Sequence, residues 1–293
     1  MFKGRRVGLA FCAVTLFAVS AETPFSGRRA LEFTAKIVGY GPRPSGSQAN
    51  VETALYIERQ LRELPFRISE DAFTAQTPDG PVRVRNIIAT LNGGPPDGRI
   101  LVVTGHFDTK RSPGFVGAND GGSSAGFLLE MAHAVAARKW KHDIRLVWFD
   151  GEEAVRQWTA IDSTYGSRHL AERWWQDGTL RRIDALINVD MIGDKDLDII
   201  QDQNSSPALN QLVWQVAANL HYGEYFQDAS GALEDDHVPF RAKGVNAIDL
   251  IDFDFGPNNS WWHTPQDTMD KLSAHSLQVV GDVVLGTLQR LDQ

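Results

Sequence analysis

The residues of this chain best suited to chemistry are acids and histidines that follow short apolar runs. His106 and Asp108 come just after the run at 100–103, and Asp120 lies just ahead of a stretch with helical spacing. Asp150, Glu152 and Glu153 follow the run at 144–149, Asp190 ends the run at 185–189, and Asp235, Asp236 and His237 precede the run at 245–251. His263 lies in the loop beyond. In open α/β sheets, ligands bind outside the carboxyl ends of the strands. Acids gathered at several such ends are a poor structural choice unless something cationic collects them. Oxygen and imidazole ligands without thiolate fit a catalytic zinc, with three protein ligands and an open position. Glu152 and Glu153 are adjacent, so their side chains diverge. One can bind a metal while the other stays free as a base, which separates Lewis acid from proton carrier as a carbonyl reaction requires.

The elements that must position these residues follow from the hydrophobic pattern. Residues 27–38 and 47–64 have helical spacing, separated by the turn-rich 39–46. Residues 82–91 begin with strand-like alternation, and 93–98 form a turn. The four apolar runs read as strands buried on both faces, and helical stretches at 122–138, 164–175 and 207–220 lie between them. A last amphipathic helix covers 273–291. Alternating strands and helices predict an α/β fold, a mixed, mainly parallel central sheet with helices on both faces. No linker divides the chain, so residues 22–293 are expected to form one catalytic domain.

The chain has 293 residues, 42% hydrophobic and 23% charged, enough apolar material for one large core. Lys3, Arg5 and Arg6, the apolar run at 7–19 and the small residues Val19-Ser20-Ala21 read as a signal peptide over residues 1–21, cleaved on export to the periplasm or beyond. The run is too short to cross a bilayer comfortably, although an uncleaved anchor is the alternative. Cleavage removes three of the 29 basic residues and none of the 37 acidic ones, leaving 26 against 37 and a net charge of −11. That balance argues against nucleic acid and against stable association with an anionic membrane. Cys12, the only cysteine, lies in the signal segment. The mature chain therefore has no disulfide and no thiol nucleophile, and any metal ligands must be His, Asp or Glu.

Several ordered motifs make a family resemblance specific. Gly105-His106-Phe107-Asp108-Thr109, Asn119-Asp120-Gly121-Gly122-Ser123-Ser124-Ala125-Gly126, Asp150-Gly151-Glu152-Glu153, Asp190-Met191 and Trp262-His263-Thr264 occur in the order seen in the M28 metallopeptidases. Within that family the chain resembles the glutaminyl cyclases. The resemblance is carried by the block 149–154, Trp158, the block 162–171 with its Tyr165-Gly166-Ser167-Arg168-His169-Leu170-Ala171, and Glu234-Asp235-Asp236-His237-Val238-Pro239-Phe240. It implies a zinc-aminopeptidase-like α/β/α sandwich. It further implies Asp120, Glu153 and His263 as ligands of one zinc, Glu152 as proton carrier, and Asp190 and Asp235 as a supporting acid pair. Trp158, Trp262 and Lys110 would meet the substrate. The implied reaction converts the N-terminal glutamine of a peptide to pyroglutamate with release of ammonia.

The match departs at Asp249, which stands where animal cyclases carry a histidine near the active site; it is kept as a candidate supporting residue. The cysteine pair of secreted animal cyclases is also missing. The ligands of the two-zinc aminopeptidases are all present too: His106 and Asp190 would hold a second zinc, Asp120 bridging, and activated water would then remove the N-terminal residue. A third reading is an inactive relative that keeps the fold to bind peptides, which leaves Glu152 beside an intact ligand set without a purpose. Individual residues also have ordinary roles open to them. Asp120 could cap a helix, Glu152 and Glu153 could form a helix's acidic first turn, and the tryptophans could simply pack.

Overall fold

The computed structural model describes Met1, residues 24–95 and residues 98–293. The segment read as a signal peptide lies, beyond Met1, outside the described residues. In chain order the elements are α1 (Gly27–Val38), α2 (Gln48–Arg62), β1 (Arg67–Thr77), β2 (Gly80–Leu91) and β3 (Ile100–His106). Next come α3 (Gly122–Ala136), β4 (Asp143–Phe149), α4 (Tyr165–Gln176), β5 (Ile183–Asp190) and β6 (Ile199–Asp202). The last are α5 (Pro207–Asn219), β7 (Phe226–Gly231), α6 (Val238–Arg241), β8 (Ala247–Ile251) and α7 (Ala274–Leu291).

The apolar runs become neighbouring strands of one sheet, ordered β1-β2-β4-β3-β5-β8. Strands β4, β3, β5 and β8 run parallel, while β2 lies antiparallel to β4 and to β1. This is the mixed, mainly parallel sheet that the alternation predicts. Every residue of β3 is buried, as a central strand covered on both faces requires. Side chains alternate along the strands. Leu101, Val103, Ile187 and Val189 join a core with α1, α2, α3, α5 and α7, while Val102, Val147 and Leu186 join one with α4 and α6. Helix α3 is buried nearly throughout. A Cβ at Gly126 would stand 2.2 Å from Thr34 Oγ1, so α1 and α3 pack at backbone distance, which only glycine permits there.

Two features depart from the expected pattern. Strand β1, hairpinned to β2 across Pro78-Asp79, carries no apolar alternation, because only Asp71 and Ala75 on it are buried. Strands β6 and β7 form a separate, short two-stranded sheet, with Ile199, Asp202 and Phe226 buried and residues 228–230 exposed. Helices α2 and α3 end at Arg62 and Ala136, two residues short of the expected stops, within the fraying of helix ends. No helix among the described residues is long and apolar enough to cross a membrane. The consequence for function is directional. The parallel strands bring His106 beside Phe149 and Asp190 beside Ile251, so the acids at or just beyond these ends share one rim of the sheet.

Candidate metal centre and active site

Two groups of side chains converge at that rim. Asp120, Glu153 and His263 each offer a ligand atom within 4.8 Å of the others, and so do His106, Asp120 and Asp190. His263 Nε2 lies 3.2 Å from Asp120 Oδ2 and 3.3 Å from Glu153 Oε2. His106 Nε2 lies 3.2 Å from Asp120 Oδ1 and 3.1 Å from Asp190 Oδ1. Asp120 therefore joins the two groups.

Local structure fixes each member. Asp120 precedes α3, but the residue capping that helix is Gly121, in the left-handed region at φ 75°, and no side chain caps it. Asp120 is thus free of the capping role. Residue 121 must be glycine, since a Cβ would meet Asp108 O at 2.5 Å. Glu152 and Glu153 sit in a loop, not in a helix's first turn. Their amides donate to the two oxygens of Asp108, at 3.2 and 3.4 Å, and Glu152 O accepts from Thr164 N at 2.7 Å. His263 holds a left-handed backbone, φ 55°, unusual for a non-glycine residue. Its ring stacks on Trp262 at 4.0 Å and meets the Phe115 ring edge-on at 5.7 Å.

The cluster has more acid than its own cations balance. Burial disfavours the Asp120 carboxylate, yet contacts with His106 and His263 outweigh this and hold its pKa well below the usual range. Burial also disfavours a charged His263, but Asp120 and Glu153 raise it to about 9. Burial, then the charge of Asp120, pushes Glu153 up. Burial pushes Glu152 well above the ordinary carboxyl range; His106 opposes this, while Glu153, Asp235 and Asp236 add to it. Asp235 is raised to about 6 by burial and then by Asp190. Asp120 Oδ2 and Glu153 Oε2 are buried without a hydrogen-bond partner. Such oxygens, converging with an imidazole, fit a tetrahedral zinc with one open position.

A cavity of about 280 Å³ opens on the cluster. Its polar lining is Asp120, Glu152, Asp190, Glu234, Asp235 and His263, and Trp158, Trp262 and Phe253 are among its apolar walls. Glu152 thus faces the same space as Asp120 and His263 while standing outside the group they form with Glu153. Lys110, expected at the substrate, is not among the lining residues. Its backbone N donates to Glu153 Oε1 at 3.0 Å and its Nζ lies 3.8 Å from Glu153 Oε2, so it restrains the Glu153 carboxylate. Asp249 lies behind the site, fully buried. Asn188 Nδ2 donates to Asp249 Oδ1 at 3.0 Å and to Asp235 Oδ1 at 3.1 Å, which ties Asp235 in place.

Sequence reasoning passed over two supports. Arg43 is fully buried beneath the site and donates to the carbonyls of Phe107, Val116 and Gly117. An arginine in a turn-rich stretch carries no mark of burial. Asp267, four residues after His263, accepts from Asn119 N at 2.7 Å and Asp120 N at 3.1 Å. Its distance from the other acids in sequence hid it. Asp267→Ala orphans both buried donors, at about 1–3 kcal/mol each. A lower Tm is expected, with partial rescue by Asp267→Asn, which keeps an acceptor; an unchanged Tm in Asp267→Ala would remove Asp267 from this role.

Comparison with known proteins extends the geometry. The profile of Peptidase family M28 matches residues 86–288. The glutaminyl-peptide cyclotransferase of Drosophila melanogaster is 35% identical over 254 residues, 77% of this chain and 70% of that protein. The crystal structure of an Acidobacteriales bacterium glutaminyl cyclase superposes with a TM-score of 0.88 at 40% identity, over 96% of this chain and 99% of that one. A Zn-dependent exopeptidase from Parabacteroides distasonis gives 0.81 at 26% identity, over 90% and 98% of the two chains.

Proposed function

The chain belongs to peptidase family M28, and from that premise we propose that it is a glutaminyl-peptide cyclotransferase, acting on peptides and proteins with an N-terminal glutamine. The observation that carries the reading is the position of Glu152, lining one cavity with Asp120 and His263 while standing outside the metal triad. Asp120, Glu153 and His263 would hold one zinc. Bound there, zinc supplies a Lewis acid for the γ-carbonyl of the substrate glutamine.

The chain's own residues do the rest. The substrate's α-amine is the nucleophile, and the cavity holds it against its own side chain, which makes the attack intramolecular. The bond from the α-nitrogen to the γ-amide carbon forms, and the bond from that carbon to the amide nitrogen breaks. Glu152 takes a proton from the α-amine and passes it to the departing nitrogen, which leaves as ammonia. Asp190 and Asp235 support the site as an acid pair, Asp235 held by Asn188. Trp158 and Trp262 line the pocket and limit the water that would compete with the amine. Residues 22–293 form the single catalytic domain, exported through cleavage of residues 1–21.

The convergence of His106, Asp120 and Asp190 favours one rival, the two-zinc aminopeptidase. Incubation with a glutamine-initiated peptide separates the two. The cyclotransferase reading expects ammonia and a peptide shortened by no residue; free glutamine without ammonia overturns it.

A further inference from the structure

The small sheet of β6 and β7 ends against the active-site cavity. Asp202, the last residue of β6, pairs with Gly231, the last of β7. Directly after Gly231 the chain supplies four lining residues in succession, Ala232, Leu233, Glu234 and Asp235. Residues 232–237 belong to no helix or strand, so no ladder of backbone bonds holds them. They also carry a load, because Asp235 faces Asp190 and Asp249, and each of these acids disfavours charge on the next.

Asp202 grips this segment on both sides of Asp235. Its Oδ1 accepts from Leu233 N at 2.9 Å and from Asn204 N at 3.1 Å. Its Oδ2 accepts from Ser205 Oγ at 2.7 Å and lies 2.8 Å from His237 Nε2. Asn204 Nδ2 donates to Leu233 O at 2.6 Å, so both polar backbone groups of Leu233 are held. The grip is anchored in turn to the central sheet. Ser206 N donates to Ala247 O at 2.8 Å, and Asp249 N to Ser205 Oγ at 2.9 Å. Asp202 and His237 are fully buried. Burial works against the Asp202 carboxylate, yet the His237 ring, Leu233 N, Ser205 Oγ and Asn204 N outweigh it and hold its pKa below the usual range.

We propose that Asp202 is a positioning residue of the reaction, holding Leu233 and His237 so that Asp235 between them stays aimed into the cavity. This rests on the cyclotransferase reading. Asp202 does not itself line the cavity and acts through Asp235. Without its carboxylate, Leu233 N and the His237 ring lose a shared partner, and like charge pushes Asp235 away from Asp190. Misplacing a group of the site by about 1 Å costs on the order of 10²-fold in rate.

The test measures kcat, KM and bound zinc with a glutamine-initiated peptide for Asp202→Ala, Asp235→Asn and the double variant. Asp202→Ala is expected to lower kcat roughly 10²-fold, with KM changed much less and zinc retained. In the Asp235→Asn background the same change should cost under about threefold, because the residue it positions is already altered. Losses that multiply in the double variant, or an unchanged kcat in Asp202→Ala, overturn the role. Asn204→Ala, at a half-buried position, removes only the donor to Leu233 O and serves where Asp202→Ala fails to fold. Its kcat should fall about fivefold with Tm and zinc near the unaltered values, and an unchanged kcat overturns the role. Absence of ammonia from the unaltered protein contradicts the cyclotransferase reading itself, and the role with it.

Discussion

Glu152→Gln is expected to lower ammonia release from a glutamine-initiated peptide by about 10²–10⁴-fold, the usual worth of a positioned proton carrier, while bound zinc stays at its original level. The two halves of the prediction come from different observations. The proposed metal triad is Asp120, Glu153 and His263, and Glu152 is not among them. Its hydrogen bonds are backbone ones, its amide donating to Asp108 and its carbonyl accepting from Thr164, and a glutamine side chain disturbs neither; its carboxylate also lies 3.8 Å from His106 Nδ1, a contact that glutamine keeps without the charge. Gln is close in size to Glu, so the buried space is filled as before. What disappears is a carboxylate able to take a proton from the substrate amine. The assay is turnover together with metal content of the same preparation. Turnover close to that of the unaltered protein would remove Glu152 from the mechanism; loss of zinc would move it into the ligand set.

His263→Ala is expected to abolish zinc binding and turnover together. The imidazole is the cationic neighbour shared by Asp120 Oδ2 and Glu153 Oε2. Without it the two carboxylates face each other in a buried site with a ligand missing. Loss of a ligand should weaken zinc by more than the roughly 10–100-fold that follows from altering groups behind the ligands. A ligand that binds only the folded state raises stability by mass action. Added zinc should therefore raise the Tm of metal-stripped unaltered protein and leave that of metal-stripped His263→Ala nearly unmoved. An equal zinc-dependent shift in both would exclude His263 as a ligand.

The parts of this structure legible in the sequence are those where burial leaves a local mark. Strand β3, buried at every position, opens on the apolar run 100–103, and the acids stand out because they come directly after such runs. The convergence of Asp120 with His263 came through the order of motifs, since spacing alone cannot show that a loop beyond the last strand returns to the first. Strand β1 left no mark, as its buried positions carry Asp71 and Ala75. Arg43 could not be read, because its partners are carbonyl oxygens, which no sequence displays. Lys110 stands beside the site, its contacts running to Glu153 and to the Ala154 carbonyl, which its place in the chain could not show. Asp249 gained its meaning only from Asn188, whose one amide nitrogen reaches both it and Asp235.

Crystals of the zinc-loaded protein, measured on both sides of the zinc absorption edge, address the proposed centre directly. One strong anomalous peak between Asp120, Glu153 and His263, with none between His106 and Asp190, is the predicted result. Two peaks of similar height, or a single peak held by other side chains, would contradict it.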